Sequence, residues 1–276
     1  MSSFDKIKSF TYPLTTTGKS ALLGAYPWHY GTEYLNIVYR TDPAKIEAWL
    51  PKPLELSKKN PDIAYVAFSK WWSVWEDSKD MAFINPERTQ YKEAAVWVGC
   101  SFNGQEGQIC LPIWVDHDFS MARGWMMGFY KKFGQIDITD YTPLNPAMPA
   151  EGPGVKMKGI VSAHGERLIE GGIEIEKKIA REELPRPMGL PLFHIRHFPS
   201  IIPGEKPAVC ELVKLGATNW NYDETIWTGK GHLKFYESEI EEHTDFKPIE
   251  VLGAYRFRNG YTFPGAERVY DWNTEN

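Results

Sequence analysis

The chain has 276 residues, 42% of them hydrophobic, with 31 basic against 36 acidic side chains and a net charge of -5. That is ample apolar material for a core, and charges of both signs are spread along the chain, leaving no basic stripe to displace counterions from nucleic acid. The charged start Met1-Ser2-Ser3-Phe4-Asp5-Lys6 and the lack of any apolar run of about eighteen residues predict a chain that is neither exported nor held in a membrane.

In chain order, apolar alternation and β-branched runs predict strands over Tyr34 to Arg40, Ile63 to Trp72, Glu93 to Phe102 and Gln108 to Trp114. Further strands are predicted over Val155 to Ala163, Glu170 to Lys177, Ala208 to Lys214, Gly231 to Tyr236 and Val251 to Phe257. Asn103-Gly104 and Gly165-Glu166 read as hairpin turns, so sequential neighbours should pair antiparallel. Helices are few: Pro43 to Leu50 behind Thr41-Asp42, and Phe119 to about Phe129 behind an N-cap Asp118. Tyr141 to Gly154 carries Pro143, Pro146, Pro149 and Pro153 and reads as a loop, with similar composition on either side and no repeat. The economical reading is one α+β domain over residues 1–276, mostly antiparallel sheet.

Three cysteines, Cys100, Cys110 and Cys210, form no CxxC and leave one unpaired in any disulfide scheme. They read as small core residues in a reducing, cytoplasmic setting. The aromatic share of 14%, with eleven Trp, points to a large apolar pocket or a subunit contact. No metal or organic cofactor is expected: GxGxxG, Gly-x-Ser-x-Gly and GxxxxGK[ST] are absent, and Gly171-Gly172 reads as a strand bulge. His194 and His197 have a spacing that could bind a metal on a helix, but no Cys or acidic ligand completes the set, so core or surface roles are preferred.

Lys131 and Lys132 follow the bulky run Trp125-Met126-Met127-Gly128-Phe129-Tyr130. A lysine is a nucleophile only as the neutral amine, and both desolvation and a neighbouring cation favour that form. On its own such a pair is usually two solvated surface side chains. The surrounding sequence, however, resembles the acetoacetate decarboxylase family in several ordered places. Glu33 to Asp42 is similar to its first core strand, Leu50 to Glu55 to its Pro-x-Pro-Leu turn, Ser101 to Gly104 to its hairpin, and Tyr130-Lys131-Lys132-Phe133-Gly134 to its lysine motif. Cys210 to Leu212, Trp227 to Gly229 and Pro264 to Glu267 follow in the same order, so the resemblance spans residues 20–272.

The resemblance implies a sheet closing into a cone or barrel around an apolar pocket, a homo-oligomer, and a small carbonyl compound as substrate. It implies that Lys131 forms the Schiff base, that Lys132 is its cationic neighbour, with the tuning role known for acetoacetate decarboxylase itself, and that Glu93 is a pocket glutamate. The family's second pocket glutamate falls on Val66 and its pocket arginine on Thr32. Gly124-Trp125 stands where Arg-Glu is usual, with Arg123 one position away. A branch performing pyruvate aldol condensation with dehydration keeps a tyrosine that falls on Tyr261, while its polar residue before the lysine falls on Met127. Tyr91 and Phe129 complete the expected substrate wall. Because Thr32 and Val66 remove charge, the expected activity is carbon–carbon lyase chemistry on a keto acid or ketone other than acetoacetate. The alternatives are decarboxylation of a bulkier apolar β-keto acid and non-catalytic binding.

Overall fold

The computed structural model describes residues 3–142, 144–185 and 188–274; Met1, Ser2 and Pro143, which entered the readings above, lie outside the described residues. The strands are β1 (Trp28–Arg40), β2 (Glu55–Leu56), β3 (Ile63–Trp75), β4 (Gln90–Phe102), β5 (Gln105–Val115), β6 (Lys131–Phe133), β7 (Gln135–Ile138) and β8 (Lys156–Ala163). They continue as β9 (Glu166–Ile179), β10 (Leu192–Phe198), β11 (Val209–Leu215), β12 (Thr218–Tyr222), β13 (Ile226–Phe235), β14 (Glu250–Phe263) and β15 (Ala266–Asp271). Three helices, α1 (Pro43–Ala48), α2 (Met81–Ile84) and α3 (Asp118–Met127), join them.

All fifteen strands belong to one sheet, whose main path is β15-β11-β10-β5-β4-β3-β1-β14-β13-β9-β8-β7. Among the described strands only β5 pairs in parallel, with β6 and with β10. Among the described residues the path is not laced shut by hydrogen bonds. It curls so that Ile136 of β7, Met157 and Val161 of β8 and Ile169 and Ile173 of β9 share one apolar core with Leu35, Ile37, Phe68 and Val96. Burying aliphatic side chains contributes roughly 1.5–3 kcal/mol each, and this layer supplies much of the sheet's stability.

Every run predicted as strand is one, and several are longer because their ends are aromatic on the opposite face. The tip of β4 and β5 turns through Asn103 (φ 48°) and Gly104 (φ 78°), conformations suited to a two-residue hairpin turn. The second hairpin turns one residue earlier than expected, through His164 (φ 53°) and Gly165 (φ 86°). Gly171 and Gly172 are not a bulge; a Cβ on Gly172 would lie 2.3 Å from the Met157 carbonyl oxygen, so glycine is needed for close strand approach. Asp42 caps α1, accepting from the Ala44 N–H at 2.9 Å. Asp118 is the first residue of α3 and not its cap, which is His117. Strand β10 escaped the sequence reading because prolines bracket so short a segment, and it carries His194 and His197 on opposite faces of a strand, not along a helix.

Alternation along the long strands separates two faces. Register pairs Thr32 with Trp71 and Tyr34 with Ser69, then Trp71 with Tyr91 and Ser69 with Glu93. These residues therefore share a face with Tyr30 and Asn36, while Leu35, Ile37, Val66 and Val96 point into the aliphatic core.

Candidate active site

Lys131 opens β6, which hydrogen-bonds alongside β5 with Ile113 opposite Lys131. The preceding helix ends at Gly128 (φ 89°), where the left-handed conformation lets the chain reverse, and Phe129 N–H bonds back to the Gly124 carbonyl at 2.9 Å. The Trp125 indole N–H donates to the Lys131 carbonyl at 2.8 Å, fixing the strand against the helix. Gly124 is needed for space: a Cβ there would lie 2.2 Å from Lys131 Cδ. The lysine stem thus crosses α3 where the helix is bare.

Its amine enters a buried polar group. Lys131 Nζ lies 2.9 Å from Glu93 Oε2 and donates to Ser120 Oγ at 3.0 Å. Lys131 is 6% exposed and Glu93 4%. The Nζ sits 5.1 Å from the centre of the Tyr91 ring and 5.6 Å from that of Phe129. Burial pushes the amine below the ordinary lysine value; Glu93 pulls it back, and Arg123 adds to the lowering.

Arg123 is the unexpected member. It is 3% exposed, and its guanidinium carbon lies 4.9 Å from the Tyr30 ring, 5.4 Å from Tyr91 and 5.5 Å from Phe119. Nη1 donates to Ser73 Oγ at 3.0 Å; buried Nη2 makes no comparable bond among the described residues, although the Tyr91 hydroxyl interacts with the guanidinium. Among the described residues no carboxylate stands within ion-pair distance of this buried cation.

The other expected residues divide between the two faces. Tyr91 stacks on Trp71 at 5.8 Å, and Tyr261 stacks on Tyr30 at 5.0 Å and edges Trp71 at 6.5 Å, so both border this aromatic cluster. Burial holds both phenols well above their ordinary value. Met127 and Phe129 pack against the same cluster. Thr32 is buried on this face with its Oγ1 unpaired. Val66 is not on it: fully buried, it pairs with Ile37 and Val96 and faces the aliphatic core. Lys132 is likewise elsewhere. As the next residue of a strand it points to the opposite side, where it pairs with the buried Glu241 carboxylate. The cation nearest in effect to Lys131 is Arg123, which the alignment left one residue out of place.

A groove of about 790 Å³ lies behind the helix–strand turn, lined by Trp125, Gly128, Tyr130, Ile195 and Cys210, and shares Phe129 with the lysine side. A second cleft of about 500 Å³, polar at its rim with Asn221, Asp223 and Arg258, is bounded by Tyr30 and Thr32. The buried ionisable groups that converge on Lys131 do not line the larger groove.

Residues 11–272 match the acetoacetate decarboxylase (ADC) family model. The chain belongs to the acetoacetate decarboxylase family. It is 24% identical to the acetoacetate decarboxylase of Clostridium botulinum (strain Eklund 17B / Type B) and 26% to that of Chromobacterium violaceum, each match covering 96% of both chains. Among solved structures it is similar to the enduracididine biosynthesis enzyme MppR complexed with the condensation product of pyruvate and imidazole 4-carboxaldehyde. The identity there is 29% and the TM-score 0.88, covering 96% of this chain and 98% of that one. An acetoacetate decarboxylase-like enzyme from Sphingomonas wittichii RW1 is 27% identical at TM-score 0.87, covering 95% and 99%. Family membership and these neighbours point to an enzyme of the acetoacetate decarboxylase-like kind. Among the described residues no helix is long and apolar enough to cross a membrane.

Proposed function

We propose that this acetoacetate decarboxylase family member is a carbon–carbon lyase that forms a Schiff base between Lys131 and a 2-keto acid. The observation that carries the reading is a desolvated amine 2.9 Å from Glu93, beside a buried guanidinium with a free N–H. The Lys131 lone pair attacks the ketone carbon, and loss of water leaves an iminium. Glu93 takes a proton from the adjacent carbon, and those electrons move to make the enamine. The enamine carbon then attacks an aldehyde, whose oxygen becomes an alkoxide and takes a proton. Tyr261 and Tyr91, kept as phenols by burial, serve as proton donors on this face. Loss of water and hydrolysis of the imine return the free lysine.

Arg123 supports a carboxylate on the substrate. It supplies the cation that Thr32 lacks, and a buried guanidinium without an anion is an unbalanced charge that a bound carboxylate would balance. It also favours condensation over decarboxylation. A carboxylate held by a cation in a low dielectric is stabilised as the anion, whereas decarboxylation must draw electrons out of it. The pyruvate condensation product named in the MppR structure agrees with that choice.

Incubation with pyruvate and an aromatic aldehyde, followed by mass spectrometry and carbon dioxide measurement, tests it. The expected product is the sum of the two substrates less one water, with no carbon dioxide. Carbon dioxide from a β-keto acid with no condensation product would assign a decarboxylase. Tight binding of both compounds without turnover would assign a binding protein.

A further inference from the structure

The face that carries Lys131 holds another buried polar atom without a partner, on the far side of the lysine from Arg123. His194, on β10, is fully buried, its ring 3.9 Å from that of Phe129 and 5.9 Å from that of Trp97. Its Nε2 accepts from the Cys110 backbone N–H at 3.4 Å, which leaves the proton on Nδ1. Nδ1 is buried and bonds to nothing among the described residues. Burial, with Lys131 as a second cause, pushes the imidazole down to about 3, so it is neutral. His194 is thus a fixed, uncharged donor whose direction is set by the Cys110 bond. A buried N–H of this kind is costly unless something accepts from it.

Its surroundings give the donor a place in the reaction. Arg123 sits beside Tyr30 and Tyr91, and Lys131 beside Tyr91 and Phe129. His194 sits beyond Phe129. Across the sheet at that end run Asn36, Ala67 and Ala95, paired in register from β1 through β3 to β4. Asn36 gives its amide N–H to Met188 Sδ at 3.0 Å and keeps Oδ1 unpaired. From Asn36 to the strand carrying Cys110 is three strand spacings, roughly 14 Å. Two polar ends therefore flank a pair of alanines, on the opposite side of the lysine from the guanidinium.

We infer that this end receives the second substrate: His194 Nδ1–H binds an aldehyde carrying a neutral hydrogen-bond acceptor set back from its reacting carbon. This rests on the proposed 2-keto acid chemistry, with Arg123 taking the carboxylate of the first substrate. His194 is a specificity residue here; it takes no part in forming the imine.

The test compares pyridine-4-carboxaldehyde with benzaldehyde as partners for pyruvate, in the wild type, His194→Leu and His194→Asn. The two aldehydes share a shape and differ in one ring nitrogen, and Asn keeps an N–H near the place of Nδ1. The ratio of kcat/KM for the two aldehydes should fall about tenfold in His194→Leu and return in His194→Asn. Borohydride trapping of pyruvate, which needs no aldehyde, should run at the wild-type rate in both variants. An unchanged ratio in all three proteins overturns the assignment, as does normal trapping with neither aldehyde turned over. Loss of trapping in His194→Leu would make His194 part of the imine site or its support and also overturns it. If the wild type itself traps no pyruvate, the Schiff-base reading fails and the subsite falls with it.

Discussion

The two faces of the same strands have opposite characters. One side of β1, β3 and β4 presents Leu35, Ile37, Val66 and Val96 to an aliphatic core whose members leave almost no exposed area. The other side presents Tyr30, Thr32, Trp71, Tyr91 and Glu93, where a buried lysine and a buried arginine stand among aromatic rings. Unpaired polar atoms of Thr32, Asn36, Arg123 and His194 lie on that second side. Lys131 and Lys132 show the division at its sharpest: neighbours in sequence, one is desolvated against Glu93 and the other is half exposed and paired to Glu241. One face holds the sheet together, with the Tyr39 hydroxyl as an unpaired group among its aliphatic side chains, and the other gathers several unsatisfied polar groups around Lys131.

Substitutions can break that division, and the largest effect is expected at Glu93. Glu93→Gln should lower turnover about 10²–10⁴-fold, the range for losing a general base, while thermal unfolding stays close to wild type. A loss confined to stability would mean that Glu93 only balances Lys131. Arg123→Gln should reduce kcat/KM for the keto acid about 10²-fold, as expected when a charged hydrogen bond to a buried anion is lost. It should also move the acid limb of the pH profile. Arg123 lowers the Lys131 value, so removing it raises that value, leaves less neutral amine at a given pH, and shifts the limb to higher pH. A limb that stays put would separate Arg123 from the lysine.

On the other face the expectation reverses. Val66→Ala should cost about 1–3 kcal/mol through the cavity it leaves, lowering Tm by several degrees. Its kcat/KM should remain within about twofold of wild type; a fall beyond that would return Val66 to the substrate wall. Smallest of all is Lys132→Met, expected to change kcat/KM by less than about twofold and to leave the acid limb in place, because its charge is already matched by Glu241 on the far side. A shifted limb would restore Lys132 as the tuning cation.

The strand-rich fold was legible because alternation survives in the long strands, and the family resemblance located Lys131 and Glu93. What the sequence could not say is which face a residue takes. Val66 aligned with a charged pocket residue, but side chains alternate every residue, so a one-position error reverses the assignment completely. Arg123 was visible only as an arginine one place from its usual column, and a helix turns far enough per residue to make that offset decisive. Ser120 and Gly124 carry no motif at all; their roles come from where Lys131 crosses α3. The spacing of His194 and His197 suits a metal-binding pair on a helix, and only the strand reveals that His197 points elsewhere.

On the proposed function, Lys131 alone of the adjacent pair carries the carbonyl. Borohydride reduction in the presence of pyruvate, followed by peptide mass mapping, reads this directly. One pyruvate-derived adduct per chain is expected, on Lys131 and not on Lys132, absent from Lys131→Ala and present in Lys132→Met. An adduct on Lys132, or none on the Lys131 peptide, would contradict it.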